Sequence, residues 1–256
     1  MPEGPQVKRV GNMIAKFEGD SILEIPRKPE SKVFDLVLPA KLLRVEVKGK
    51  NIFVYLKDKE GEKVLYNHML MWGKWDLGCE PKSGNKSLNT CFTFKKGSLG
   101  YYGGGILKIV TVEQAEKMKK KLGPDILQSK TMEETFVKVR KSRKPIGEAI
   151  MAQELVSGIG NIYKSEGLFA AQIYPEKKAN ELSEEDYQKL FAFLHKQMTN
   201  DVTSGTIITT TPKLFKQGHR RYVYRKYHQL CLVCGKKIER MIQNGRSTYF
   251  CPNCQK

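Results

Sequence analysis

Apolar residues at Val7, Val10, Ile14 and Phe17 recur at helical spacing and predict an amphipathic helix between Gly4 and Phe17. The pattern then shortens to alternating or apolar runs at Val33–Leu38, Leu43–Lys48, Ile52–Leu56, Val64–His68, Cys91–Phe94 and Leu107–Val110, broken by Gly, Asn, Pro and Lys. These runs predict a β-rich domain preceded by one helix. Within Lys48-Gly49-Lys50-Asn51, Gly49 suits the first central position of a two-residue type II′ hairpin, which places Lys50 at the hairpin tip.

Near residue 112 the periodicity becomes helical. Helices are expected over Val112–Leu122 and Glu133–Val139, with Gly123-Pro124-Asp125 as the break between them. Glu148–Val156 also has helical periodicity. It ends in Ser157-Gly158-Ile159-Gly160, after which Asn161 is placed to cap a helix through Tyr163, Leu168 and Phe169. Ser183 and Asp186 form a capping-box pattern ahead of Tyr187, Leu190, Phe191 and Leu194 on one face. Near the end, Lys236–Gln243 and Arg246–Phe250 flank Asn244-Gly245, a strong hairpin signal. The expected fold is therefore multidomain α+β, divided at 1–112, 113–220 and 221–256.

Charge changes this picture. The 256 residues carry 45 Lys and Arg against 27 Asp and Glu, a formal +18 that implies a polyanionic partner. The last 56 residues hold 11 basic against 2 acidic side chains, so 11 − 2 places +9 of that excess in the tail. With no long apolar run and no apolar segment following the N-terminus, nucleic acid rather than membrane is the expected partner, in an intracellular, nucleoid-associated setting.

Cysteine spacing adds a metal. Cys231-x-x-Cys234 and Cys251-x-x-Cys254, separated by 16 residues, bracket the Asn-Gly hairpin and match a four-thiolate zinc site. Four thiolates close a tetrahedron, so the zinc is expected to be structural, with no catalytic metal or organic cofactor. Cys79 and Cys91 stand apart from this set, and a reducing compartment is expected. Arg246, just past the hairpin turn, is on spacing alone either a phosphate ligand or a solvated arginine.

At the other end, removal of Met1 would leave Pro2 as a free secondary amine, with an ordinary α-amine pKa of roughly 7.7–8.0 that leaves a nucleophilic fraction at neutral pH. Attack of such an amine on a sugar C1′ gives an iminium, which makes β-elimination of the 3′-phosphate feasible, and the adjacent Glu3 is placed to supply a proton. Taken alone, Met1-Pro2-Glu3 reads more simply as an exposed start before a helix.

Seven segments occur together in order: Met1-Pro2-Glu3-Gly4-Pro5; the Gly49-Lys50 hairpin; Asn67-His68-Met69-Leu70-Met71-Trp72-Gly73; Leu122-Gly123-Pro124-Asp125; Lys144-Pro145-Ile146; Gly158-Ile159-Gly160-Asn161-Ile162-Tyr163 with Glu166; and Arg246-x-x-x-x-Cys251-x-x-Cys254-Gln255. This order resembles the formamidopyrimidine-DNA glycosylase and endonuclease VIII family across essentially the whole chain, with the wedge region closer to endonuclease VIII. The resemblance implies an N-terminal β-sandwich with one helix, a helix–two-turn–helix domain and a C-terminal β-hairpin zinc finger, with damaged or abasic double-stranded DNA between them and a monomeric enzyme. It implies Pro2 as the Schiff-base nucleophile, Glu3 as proton donor, Lys50 as the hairpin lysine that assists elimination, and Arg246 as the finger arginine. It also implies DNA contacts from His68, Lys121 and Asn161, and a wedge of Leu70, Met71 and Trp72 for the void left by a flipped base. The alternative is that some of these positions are ordinary strand core, Trp72 before Leu70 and Met71.

Three positions depart from the family pattern, and the third bears on substrate. Gln6 stands where an acid is common, Ala152 where an Asp is frequent, and Gly100–Ile109 lacks the arginine–phenylalanine loop of the formamidopyrimidine enzymes. Oxidised pyrimidines are therefore the expected substrates of a bifunctional glycosylase and abasic-site lyase acting by β- or β,δ-elimination. The rival readings are a non-catalytic DNA-damage binder and a zinc-ribbon DNA-binding protein.

Overall fold

The computed structural model describes residues 2–26, 35–80, 87–128 and 132–256. They form two compact units, Met1–Lys121 and Leu122–Lys256.

The first unit opens with helix α1 (Gly4–Ala15), whose Val7 and Ile14 are buried as the spacing requires. Strands β1 (Ser21–Glu24), β2 (Ala40–Lys48), β3 (Asn51–Asp58), β4 (Gly61–His68), β5 (Lys74–Leu77), β6 (Leu88–Phe94), β7 (Gly97–Tyr102) and β8 (Ile106–Thr111) follow. They pair in one antiparallel sheet, ordered β5-β7-β6-β1-β2-β3-β4-β8. Ile22, Phe92 and Leu99 from one half meet Ile52, Val54 and Leu65 from the other in a single core. The sheet therefore folds over itself as a β-sandwich.

Strand β3 shows how its sequence fills two faces. Ile52, Val54 and Leu56 point into the sandwich, while the alternate Phe53 and Tyr55 are covered by helix α2 (Val112–Lys120) through Ala115 and Met118. Helix α2 thus belongs with the first unit, and the unit boundary falls after Lys121 rather than at 112. The run expected as a strand at Val33–Leu38 is not a strand over its described residues. Its first two positions lie outside the described residues, and 35–38 lie outside every strand, with the Val37 N–H donating to Asp58 Oδ2 at 3.0 Å. Strands β1, β5 and β7 escaped the sequence pattern because they are short or Gly-rich. Cys79 and Cys91, set apart in sequence, are joined by a disulfide with Cα atoms 5.7 Å apart, which the expected reducing compartment did not anticipate.

The second unit comprises α3 (Met132–Arg140), α4 (Ile146–Ala149), α5 (Asn161–Ala170), α6 (Glu184–Ser204), α7 (Pro212–Lys216) and the hairpin β9 (Glu239–Gln243) and β10 (Arg246–Phe250). The helix expected over Glu148–Val156 is replaced by the single turn of α4 followed by two tight turns. Gln153 holds these turns: its Nε2 donates to Met151 O and Ile159 O, and its Oε1 accepts the Gly158 N–H. Ser183 and Asp186 form the expected capping box, and Tyr187, Leu190, Phe191 and Leu194 are buried along α6. The cysteine-bearing tail packs on this unit through Phe169, Val223 and Ile238. Among the described residues, no helix is long and apolar enough to cross a membrane.

Candidate functional site

In the first unit the site grows from the start of α1. Glu3 is the N-cap, 3% exposed, and forms a reciprocal capping box in which the Gln6 side-chain oxygen accepts the Glu3 N–H at 2.9 Å. Pro2, one residue earlier, is half-buried at the edge of a depression of about 260 Å³ that Gln6, Arg9, Met69 and Lys74 help to line.

The β2–β3 hairpin is the two-residue turn expected. Gly49 has φ +60, which the first central position of a type II′ turn demands, and Lys48 pairs with Asn51. Asn51 locks the turn: its Nδ2 donates to Lys48 O, and its Oδ1 accepts the Tyr66 hydroxyl at 2.8 Å. Lys50 is consequently only 5% exposed. Burial and then the nearby Lys50 charge depress the His68 pKa below its usual value. His68 Nδ1 accepts the Leu70 N–H at 3.2 Å, so the neutral ring carries its proton on Nε2, where it is a donor. The Lys48 ammonium donates to Lys119 O at 3.0 Å, joining the strand before the hairpin to the end of α2, where the exposed Lys121 is the C-cap.

The β4–β5 turn does not pack the three wedge candidates in the core. Met69 is buried, whereas Leu70, Met71 and Trp72 are 43%, 55% and 66% exposed, and Leu70 takes a φ of +48. The glycine loop after β7 meets this turn closely. A Cβ on Gly103, itself at φ +71, would lie 2.4 Å from Trp72 O.

In the second unit the N-cap of α5 is Gly160, so Asn161 is the first helical residue and not the cap expected from sequence. Its Nδ2 donates instead to Ser247 O at 2.7 Å, while its Oδ1 is buried with no hydrogen-bond partner among the described residues. This bond fixes the start of α5 against the residue that follows the exposed Arg246. Asn161 and Arg246 are therefore neighbouring features of one surface.

The four cysteine sulfurs lie within 4.8 Å of one another, with Cys231–Cys254 at 3.9 Å and Cys234–Cys251 at 3.4 Å. A tetrahedron with Zn–S bonds of about 2.3 Å has edges near 3.8 Å, so these side chains fit a structural zinc with no open position. Asn244 and Gly245, at φ 45 and 70, make the expected hairpin between the two cysteine pairs. Gln255 ties the site to the body of the unit, accepting the Cys251 N–H and donating to Ile173 O.

Two buried polar residues in this unit carry structure that the sequence did not reveal. Glu166, fully buried, accepts the N–H groups of Tyr222, Val223 and Tyr224 and the Thr209 hydroxyl. Lys164, also buried, donates to Thr248 on β10 at 2.7 Å. Glu166 stands in the segment that carries the family resemblance, but its partners lie far along the chain, and Lys164 gave no signal beyond a Lys among the apolar residues of a short helix.

Residues 122–213 match the family described as the formamidopyrimidine-DNA glycosylase H2TH domain, and residues 229–256 match the zinc finger found in FPG and IleRS. The formamidopyrimidine-DNA glycosylase of Listeria monocytogenes is 31% identical over 279 residues, covering 100% of both chains. Lactococcus lactis Fpg in complex with abasic-site DNA is 26% identical with a TM-score of 0.80, covering 99% of each chain. The same enzyme in complex with DNA containing an oxidised pyrimidine is 27% identical with a TM-score of 0.80, covering 100% of each chain. The chain belongs to the formamidopyrimidine-DNA glycosylase family.

Proposed function

We propose that this chain excises an oxidised base from duplex DNA through a Schiff base on Pro2 and then cuts the strand at the resulting abasic site. As a member of its family it is a DNA glycosylase of DNA repair. The observation that carries the mechanism is the position of Pro2: it borders an open depression, beside a capped helix start that fixes its direction.

With Met1 removed, the Pro2 nitrogen attacks C1′ of the flipped nucleotide, a C1′–N bond forms and the bond to the base breaks. Glu3, held at the N-cap, supplies the proton that opens the sugar ring. The iminium then acidifies C2′, and loss of that proton expels the 3′-phosphate. Lys50 assists this elimination, and His68, neutral and donating from Nε2, holds an adjacent phosphate together with Lys121. Asn161 and Arg246 grip phosphates flanking the lesion, and Arg246 assists a second elimination at the 5′ side. Leu70, Met71 and Trp72, exposed on a turn rather than packed in the core, fill the vacated stack.

Oxidised pyrimidines are the substrate class. What supports this is that Gly103-Gly104-Gly105 carries no arginine–phenylalanine pair, and that a relative has been solved with DNA containing an oxidised pyrimidine as well as with a Fapy-dG duplex. Strand cleavage of a duplex with one abasic site, compared between the wild type and Pro2→Gly, tests the lyase step. Because a glycine there would keep a free α-amine, the variant is read beside Met1-free wild type whose α-amine has been acetylated: loss of at least about a hundredfold is expected on acetylation, and equal rates there would overturn the assignment.

A further inference from the structure

Lys164, 1% exposed in the middle of α5, takes no part in the chemistry proposed for Pro2. Burying an amine costs free energy that an apolar side chain of the same length does not. Its side chain donates to Thr248 Oγ1 on β10 at 2.7 Å, within the second unit. Thr248 has a single hydroxyl proton, which it gives to Gln243 Oε1 at 2.8 Å, so its lone pairs are what it turns toward Lys164. Gln243 in turn donates from Nε2 to Pro175 O at 3.0 Å, and a Cβ on Gly147 of α4 would collide with its Oε1. The chain of bonds from Lys164 through Thr248 to Gln243 thus crosses both strands of the β9–β10 hairpin.

Gln243 pairs directly with Arg246 across the Asn244-Gly245 turn, so this chain ends immediately beneath the exposed arginine. Two neighbouring bonds reinforce it. Asn161 Nδ2 donates to Ser247 O at 2.7 Å, and Ser165 Oγ accepts the Tyr249 N–H at 3.4 Å. Positions 161, 164 and 165 share one face of a helix, and 247, 248 and 249 are consecutive in β10. One face of α5 therefore seats three successive residues of the strand that Arg246 begins. A hairpin with five residues in each strand has little stability of its own, and the cysteine pairs flank its open end rather than its tip.

Resting on the reading of Arg246 given above, we infer that Lys164 is a positioning residue for Arg246. Through Thr248 and Gln243 it fixes the hairpin tip, so that the guanidinium meets the 5′-phosphate expelled in the second elimination. Lys164 touches no reacting atom. An amine serves here where a methionine would not, because a hydrogen bond has a direction, whereas apolar contact is non-directional and lets β10 shift along α5.

Lys164→Met tests the inference: it keeps the length and the apolar stem and removes the donor. Abasic-site duplex is cut under single-turnover conditions, and the 3′-phosphate ends left by the second elimination are resolved from the unsaturated-aldehyde ends left by the first. The ratio of the two products is read within one preparation, so a smaller folded fraction cancels. Arg246→Met is the reference. Both variants are expected to lower that ratio at least about fivefold, since a misplacement of about 1 Å suffices for larger losses. Thr248→Val is expected to lower it as well, and Thr248→Ser, which keeps the hydroxyl, to restore it. A ratio in Lys164→Met within about twofold of the wild type, or one that rises, while Arg246→Met lowers it, overturns the inference and leaves the reading of Arg246 intact. Equal loss in Thr248→Val and Thr248→Ser overturns it too, because the hydroxyl would then be irrelevant. A wild type that leaves no 3′-phosphate ends, or an unchanged ratio in Arg246→Met, overturns the reading of Arg246 and the inference with it.

Discussion

Glu166→Gln is the most informative single change in the second unit, because one carboxylate satisfies four donors there. Oε1 accepts the N–H groups of Val223 at 2.9 Å and Tyr224 at 2.8 Å, while Oε2 accepts the Tyr222 N–H at 2.8 Å and the Thr209 hydroxyl. An amide of the same shape has only one oxygen. Thr209 can rotate to accept from the new NH2, but a backbone N–H then faces another donor in a buried site. Each charge-assisted bond of this kind contributes about 1.5–3 kcal/mol. Loss of one outright and weakening of two others to neutral strength is expected to cost about 3–5 kcal/mol. The segment released is 222–224, which leads directly to the first zinc cysteine pair and shares its small core through Val223. Urea unfolding monitored by circular dichroism should show this loss, and limited proteolysis should cut near 206–224 in the variant alone. A variant within about 1 kcal/mol of the wild type, with unchanged proteolysis, would refute the view that Glu166 holds this segment.

Removing zinc with a strong chelator is expected to release the tail from 229 onward and to lower DNA affinity at least tenfold, because Cys231 and Cys251 are themselves core residues; chelation without loss of binding would contradict the structural role. The imidazole of His68 should titrate below about 6.5 by NMR and move upward in Lys50→Met, since burial and then the Lys50 charge depress it. A base depressed in this way contributes stability that is fully present above its unfolded pKa and declines as pH falls through the folded value. Gly103→Ala is expected to destabilise by about 2 kcal/mol, through its left-handed backbone and the clash with Trp72 O, and to weaken binding to lesion duplexes more than to intact ones. Equal stability in that variant would show that the glycine loop does not support the wedge turn.

Much of the fold was legible because the decisive signals were local. Gly49 and Asn244-Gly245 have few conformational options, so both hairpins fell where expected. The alternation in β3 and the capping box at Ser183 report contacts within a few residues. What was not legible depends on distant partners. The Glu148–Val156 segment has helical periodicity, yet Gln153 gains three hydrogen bonds by turning the chain. Asn161 is a good capping residue by type, but a bond to Ser247, far along the chain, takes its amide away from that role. Helix α2 looked like the start of a second domain, and its docking on Phe53 and Tyr55 emerges only from the folded sheet. Among site residues, the zinc cysteines and Lys50 were fixed by spacing and turn chemistry.

The central claim is that the Pro2 nitrogen becomes covalently joined to C1′ of the damaged nucleotide. It is tested most directly by borohydride reduction of the protein, confirmed by mass to lack Met1, in the presence of abasic-site duplex, followed by tandem mass spectrometry of the trapped peptide. The sugar remnant is expected on the Pro2 nitrogen, and no adduct should form with Pro2 blocked by a retained Met1. An adduct mapped to a lysine side chain, or none from the Met1-free protein, would contradict the account.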